Sequence, residues 1–190
     1  MIIGITGYAR HGKNTVGRIL EENYGFKQVA LADKVREFAI AVDPMIRLDG
    51  NSCVRIFTIL ADGGWEQAKE FPDVRRLLQR IGTEGGRGVL GEDVWINALF
   101  PSLEDGKNYV ITDVRFPNEA TRIKSCGGQM WRVYRPGFDN GVGTNHPSEA
   151  HIADIPTDRI ILNDGSEDDM VGVVAQAVYH SGIIMNGLEF

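Results

Sequence analysis

The sequence predicts an α/β fold, a central and mostly parallel sheet of five strands with helices on both faces. Three observations carry this. Apolar, β-branched runs alternate with segments of helical period along most of the chain, the order that builds parallel sheets from crossover units. The first run, "MIIGIT", stops at Gly7 and passes through "GYARHGKNT" into a helical pattern, so that strand, glycine-bounded loop and helix follow directly. The chain has 190 residues, 43% hydrophobic and 24% charged, enough for one domain with a core of ordinary composition.

Taken in order, "MIIGIT" is a buried strand and "NTVGRILEENYG" a helix with Val16, Ile19 and Leu20 on one face, closed by Gly25. "FKQVALA" is a second strand. "DKVREFAIAV" is a helix for which Asp33 is the expected cap, with Pro44 just beyond. "VRIFTILADGG" and "PDVRRLLQRIG" read as helices ended by glycine, with Asp73 in the first turn of the second. A glycine-rich loop, "GTEGGRGVLGED", leads into "VWINALF". "NYVITD" is the third strand, and "PNEATRIKSCGG" a helix that Pro117 starts and Gly127-Gly128 ends. "QMWRVYR" is the fourth strand, residues 136–158 form a long turn-rich loop or lid, and "RIIL" is the fifth strand. "SEDDMVGVVAQAVYHSG" closes the chain as a helix with acids in its first turn.

The composition narrows the function classes. A net charge of −6 argues against a nucleic-acid polymer as main partner, yet allows a small anionic ligand in a locally positive site. Cys53 and Cys126 lie far apart with no CxxC, and the N-terminus has no basic leader pattern; both point to reduced thiols and a cytoplasmic protein. No apolar run approaches the ~20 residues of a membrane helix.

"GYARHGKNT" nearly spells the phosphate-binding pattern G-x-x-x-x-G-K-[ST], with Asn14 where a hydroxyl residue is usual. In strand–loop–helix context, Gly7 and Gly12 let the backbone curl so that its N–H groups face an anion, and Lys13 supplies a mobile positive charge. Asn14 and Thr15 are the alternative ligands for Mg²⁺ at this loop, directly or through water.

In "YVITDVRFPNEA", Asp113 ends an apolar strand, where a carboxylate can orient Mg²⁺ through water, and Arg115 follows two residues on. Glu119 lies in the next helix's first turn. Arg10, Arg36, Arg87, Arg115, Arg132 and Arg135 stand in loop, glycine-rich or strand-end contexts and are candidates for clamping phosphates. Trp95 is the tryptophan best placed to meet a nucleobase. The histidines have no metal-ligand spacing, and His11 reads as a variable loop position.

Together these motifs resemble the P-loop deoxynucleoside monophosphate kinases common in tailed bacteriophages, whose loop ends GKDT where this chain has GKNT. The likeness runs through "LADKVREFA", "LLQRIGTEGGRGVLGEDVW", "ITDVRFPNEA", "HPSEA" and "ILNDGS", nearly the whole chain. It implies a three-layer nucleoside-monophosphate-kinase-like domain over residues 1–190, with a helical acceptor-binding region at about 33–105 and a lid at about 132–158. It implies ATP with Mg²⁺, held by Gly7, Arg10, Gly12, Lys13, Asn14 and Thr15, with Asn163 and Gly165 in the turn bordering adenine. It also implies a deoxynucleoside monophosphate acceptor near Asp33, Arg36, Arg87, Trp95, Glu119, His146 and Glu149. Lys13, Asp113, Arg115, Arg132 and Arg135 would serve phosphoryl transfer, with Asn14, Thr15 and Asp113 toward the metal. The location implied is the cytoplasm, that of the host if phage-encoded, and a homodimer is left open.

Two other readings stand beside this one. A small-molecule P-loop kinase with a dephospho-coenzyme A or shikimate-like acceptor would need a base, for which Asp33 is available. A nucleotide-binding regulatory module with slow or no turnover is the other, which Asn14 would permit.

Overall fold

A computed structural model describes residues 1–48, 52–138 and 151–183. The chain divides into two compact units, Met1–Ala30 with Leu103–Phe190, and Leu31–Ser102.

The first unit is built on a fully parallel sheet. Its strands are β1 (Ile2–Thr6), β2 (Phe26–Val29), β5 (Asn108–Ile111), β6 (Gln129–Tyr134) and β7 (Arg159–Leu162), in the spatial order β2-β5-β1-β6-β7. The helices are α1 (Lys13–Tyr24), α6 (Pro117–Ser125) and α7 (Glu167–His180). Alternation along β1 sends its side chains to opposite faces. Ile3 and Ile5 join Val16, Ile19 and Leu20 of α1, Met170 and Val174 of α7, and Trp131 and Val133 of β6 in one buried cluster. On the other face a Cβ added to Gly4 would lie 2.5 Å from Ile123 of α6. The two helix layers follow from this split.

The helix termini obey local chemistry. Ser166 and Asp169 cap α7 reciprocally: Ser166 Oγ accepts the Asp169 amide at 3.2 Å, and Asp169 Oδ2 accepts the Ser166 amide at 2.8 Å. At α6, Pro117 enters at the start, and Glu119 Oε2 accepts the amides of Arg115 (2.7 Å) and Phe116 (3.0 Å). Asp158 ties α6 to the sheet by accepting from Lys124 Nζ (2.8 Å) and from the Met130 amide (2.7 Å). Partial burial alone would raise the Asp158 pKa. The Lys124 and Met130 hydrogen bonds, with the charges of Lys124 and Arg159, outweigh it and hold the carboxyl below the usual range.

The second unit contains α2 (Leu31–Val42), β3 (Met45–Arg47), β4 (Cys53–Arg55), α3 (Ile56–Ala68), α4 (Pro72–Gln79) and α5 (Val94–Leu99). Ala39, Ile46, Ile56, Ile59, Ala68 and Val74 form its core. Here the local sequence signals mislead in four places. Helix α2 starts at Leu31, which puts Asp33 inside the first turn, paired with Arg36, rather than at the cap. The antiparallel pair β3–β4 is three residues a strand, too short to show alternation in the sequence. Gly63 and Gly64 kink α3 from within instead of ending it, because the chain resumes a helical turn through Trp65. Gly82 does not end α4, and "RIGTEGGRGVL" is no irregular loop: Arg80–Leu90 forms a wide π-helical coil. A Cβ at Gly86 would lie 2.5 Å from the Trp95 indole and 2.6 Å from the Ile81 carbonyl, so glycine admits the close packing that stabilises this coil.

Candidate functional site

The loop between β1 and α1 emerges from the middle of the sheet, at the carboxyl end of its central strand. In open α/β sheets this edge, where neighbouring connections diverge, is where ligands bind. Gly7 has φ 140° and Gly12 φ 100°, values that side-chain-bearing residues rarely adopt. Space makes the same demand: a Cβ at Gly7 would lie 2.5 Å from the Val133 carbonyl oxygen, and one at Gly12 2.6 Å from Asn163 Nδ2. Arg10 also takes a positive φ, 63°, with its side chain exposed.

Lys13 folds back across this curl, its Nζ donating to the carbonyls of Gly7 (2.7 Å) and Tyr8 (2.8 Å). The ammonium therefore sits at the loop's mouth. Helix α1 begins there with no side-chain cap and no acid in its first turn, so no carboxylate there offsets the positive end of its dipole, an arrangement suited to an anion. Asn14 and Thr15 border a depression of about 480 Å³ that Arg18, Glu21 and Gln28 complete.

The other candidates of the first unit fall into two groups. Asp113, partly buried, and exposed Arg115 follow β5, which lies beside β1 in the sheet. Asn163, just past β7, donates from Nδ2 to the His11 carbonyl at 2.8 Å and from its amide to the Tyr134 carbonyl at 2.8 Å. It is thus brought directly onto the loop between β1 and α1, although 152 residues away in sequence. Gly165 packs beneath the capping carboxylate of Asp169. Arg135 holds its guanidinium 5.1 Å from the Phe138 ring centroid. Two others are occupied by the protein itself. Arg132 Nη2 donates to the carbonyls of Ile152 (3.0 Å), Ala153 (3.2 Å) and Ile155 (2.7 Å), which roots the returning end of the predicted lid. Glu119 serves as the α6 cap already described.

Asp33, Arg36, Arg87 and Trp95 all belong to the second unit. Arg36 Nη1 bonds Asp33 Oδ1 at 2.9 Å, and Arg87 Nη1 donates to the Glu92 carbonyl at 2.7 Å. Trp95 is only 7% exposed, and its indole N–H is taken by the Gly82 carbonyl at 2.8 Å. It still lines a groove of about 820 Å³ with Phe38, Arg80, Glu84 and Leu90, as an apolar wall rather than a hydrogen-bonding one. His146 and Glu149 lie outside the described residues.

One residue near the site goes unassigned in the sequence reading. His11, read as a variable loop position, is 2% exposed and surrounded by the rings of Tyr8, Tyr134 and Phe138. Nothing local in "ARHGK" signals this, because two of its three aromatic neighbours are more than a hundred residues away.

The chain is similar to several known proteins. A mimivirus protein (Acanthamoeba polyphaga mimivirus) named for deoxynucleotide monophosphate kinase is 28% identical over 191 residues, covering 85% of this chain and 87% of the relative. The deoxynucleoside-5′-monophosphate kinase of Escherichia phage T5 is 43% identical over 89 residues, covering 43% of this chain and 36% of the relative. Among solved structures, Aquifex aeolicus shikimate kinase aligns at a TM-score of 0.47 and 11% identity, over 96% of this chain and 99% of that one. Campylobacter jejuni dephospho-CoA kinase aligns at 0.47 and 16%, over 94% and 96%. The family model for deoxynucleotide monophosphate kinase matches residues 48–174, about two thirds of the sequence. On that match, the chain belongs to the deoxynucleotide monophosphate kinase family.

Proposed function

We propose that this protein transfers the γ-phosphoryl group of ATP to a deoxynucleoside 5′-monophosphate, giving ADP and the deoxynucleoside diphosphate by direct in-line displacement. The observation that carries the reading is the curled loop of Gly7 to Lys13, with the Lys13 ammonium at its mouth and an uncapped helix start behind it. Family membership supplies the acceptor class. An attacking 5′-phosphate is already an oxyanion, so the chain needs no general base. Its work is to orient both nucleotides, offset the gathered negative charge and keep water away.

Loop amides and Lys13 would hold the β- and γ-phosphates, as the geometry of the loop supports. Arg115 and Arg135 are the arginines proposed to reach the phosphates; Arg132, with its Nη2 on three carbonyls, acts in this reading by rooting the lid. Arg36 and Arg87 are the proposed acceptor clamps. Asn163 supports the donor side by holding the loop at His11.

The residues present suit Mg²⁺. Among the described residues no cluster of three or more acidic, histidine or cysteine side chains forms a metal cage. Mg²⁺ keeps several waters and uses one or two protein oxygens beside substrate phosphates, so it needs no such cage. The Thr15 hydroxyl, Asn14 amide oxygen and Asp113 carboxylate are hard oxygen donors of that kind and would hold it; when bound, Mg²⁺ screens phosphate charge.

The test is ADP formation from ATP and Mg²⁺ with each deoxynucleoside and ribonucleoside monophosphate in turn, beside a control lacking acceptor. Turnover that depends on a deoxynucleoside monophosphate is expected. ADP release in the control alone would overturn the proposal in favour of an ATPase.

A further inference from the structure

His11 is the phosphate loop's one fully buried side chain between Tyr8 and Lys13, and its polar atoms are poorly served. Nδ1 lies 3.4 Å from the Val133 carbonyl oxygen and 3.4 Å from the Arg135 amide nitrogen. The first contact needs a proton on Nδ1 and the second needs its lone pair, so one tautomer makes only one of them. Nε2 is buried with no hydrogen-bond partner among the described residues. Among the described residues, then, neither tautomer satisfies both ring nitrogens, and a buried polar atom left unpaired costs stability. A phenylalanine would fill the same box of Tyr8, Tyr134 and Phe138 without that cost.

A group kept at the expense of stability calls for a positional reason, and the contacts supply one. The His11 carbonyl is held by Asn163, beyond β7, while its ring is held at Val133–Arg135, where the chain leaves β6. The neighbouring glycines abut the same two places, Gly7 at Val133 and Gly12 at Asn163. The loop is thus keyed to two strand ends, and His11 meets both, with its ring at one and its backbone carbonyl at the other.

We propose that His11 is a positioning residue for the donor nucleotide: through Nδ1 it sets the register of the phosphate loop against the end of β6. This rests on the reading of the loop as the ATP site, though not on the identity of the acceptor.

Two substitutions separate position from packing. His11→Phe keeps the ring and removes Nδ1. His11→Asn loses much of the ring but places an amide group close to where Nδ1 stood. The measurements are ADP affinity by titration calorimetry with Mg²⁺ and no acceptor, and thermal stability of the same samples. For His11→Phe the expected result is a melting temperature at or above that of the parent, with ADP binding weakened about three- to tenfold, the loss of one modest hydrogen bond. His11→Asn should be less stable yet bind ADP within about twofold of the parent. His11→Phe binding ADP as the parent does would overturn the proposal, and so would His11→Asn losing as much affinity as His11→Phe. If the parent itself fails to bind ADP, the nucleotide-site reading falls as well, which distinguishes that failure from a failure of His11 alone.

Discussion

Gly7 and Lys13 show how little tolerance the loop has at single positions. Alanine at Gly7 places its Cβ 2.5 Å from a backbone oxygen, that of Val133, at a φ of 140°. Neither the strand nor the φ can relax cheaply, so Gly7→Ala is expected to lose about 1–3 kcal/mol. Thermal unfolding would register this as a fall of several degrees; an unchanged melting temperature would mean that the loop is looser than its geometry implies. Lys13→Ala removes the charge at the loop's mouth without disturbing a core contact. Turnover with the preferred acceptor should fall on the order of 10²–10³-fold while the fold stays intact. Circular dichroism and ADP release on the same sample check both halves.

At the scale of elements, α6 and β6 depend on two carboxylates, those of Glu119 and Asp158. Glu119 Oε2 collects the amides of Arg115 and Phe116 before α6 begins. Glu119→Gln keeps an acceptor but not its charge and is expected to cost about 1 kcal/mol, with Glu119→Ala costing more. Denaturant midpoints would rank them, and parity between the two variants would deny the cap its role. Asp158 has a pH signature. Its folded pKa is depressed, so the unfolded chain binds its proton more readily, and stability rises with pH across the interval between the two values. The contribution is fully present above the unfolded carboxylate value of about 3.9 and is lost as pH falls through the folded one. Asp158→Asn should therefore be less stable than the parent at pH 7, and the gap should close in acid. A gap independent of pH would assign the effect to packing.

For the whole molecule, the donor and acceptor candidates belong largely to different units of the chain. The phosphate loop and Asn163 lie in the unit with the five-stranded sheet, and Arg36, Arg87 and Trp95 in Leu31–Ser102. If the functions divide in the same way, Arg36→Ala and Arg87→Ala should raise the acceptor KM about tenfold or more and leave ADP affinity unaltered. Loss of ADP affinity in these variants would place them on the donor side.

What the sequence determined by itself was whatever rests on neighbours in the chain. Alternating strand and helix patterns named the sheet's five strands, the glycine-bounded turn between the first strand and helix could be read from nine residues, and Pro117 and the acids opening the last helix marked their helix starts. The motif series also carried the family. Tertiary structure decided the rest, because distant segments decided it. The coil at Arg80–Leu90 looks like a glycine-rich loop until Trp95 packs against Gly86. Arg132 reads in the sequence as a candidate phosphate clamp, and only the fold brings the carbonyls of residues 152, 153 and 155 onto it. His11 has no local mark at all. Its burial is made by Tyr134 and Phe138 at the end of β6, and its backbone is held by Asn163 beyond β7. Those contacts exist only because parallel strands bring their carboxyl ends to one edge of the sheet, where the loop must also lie.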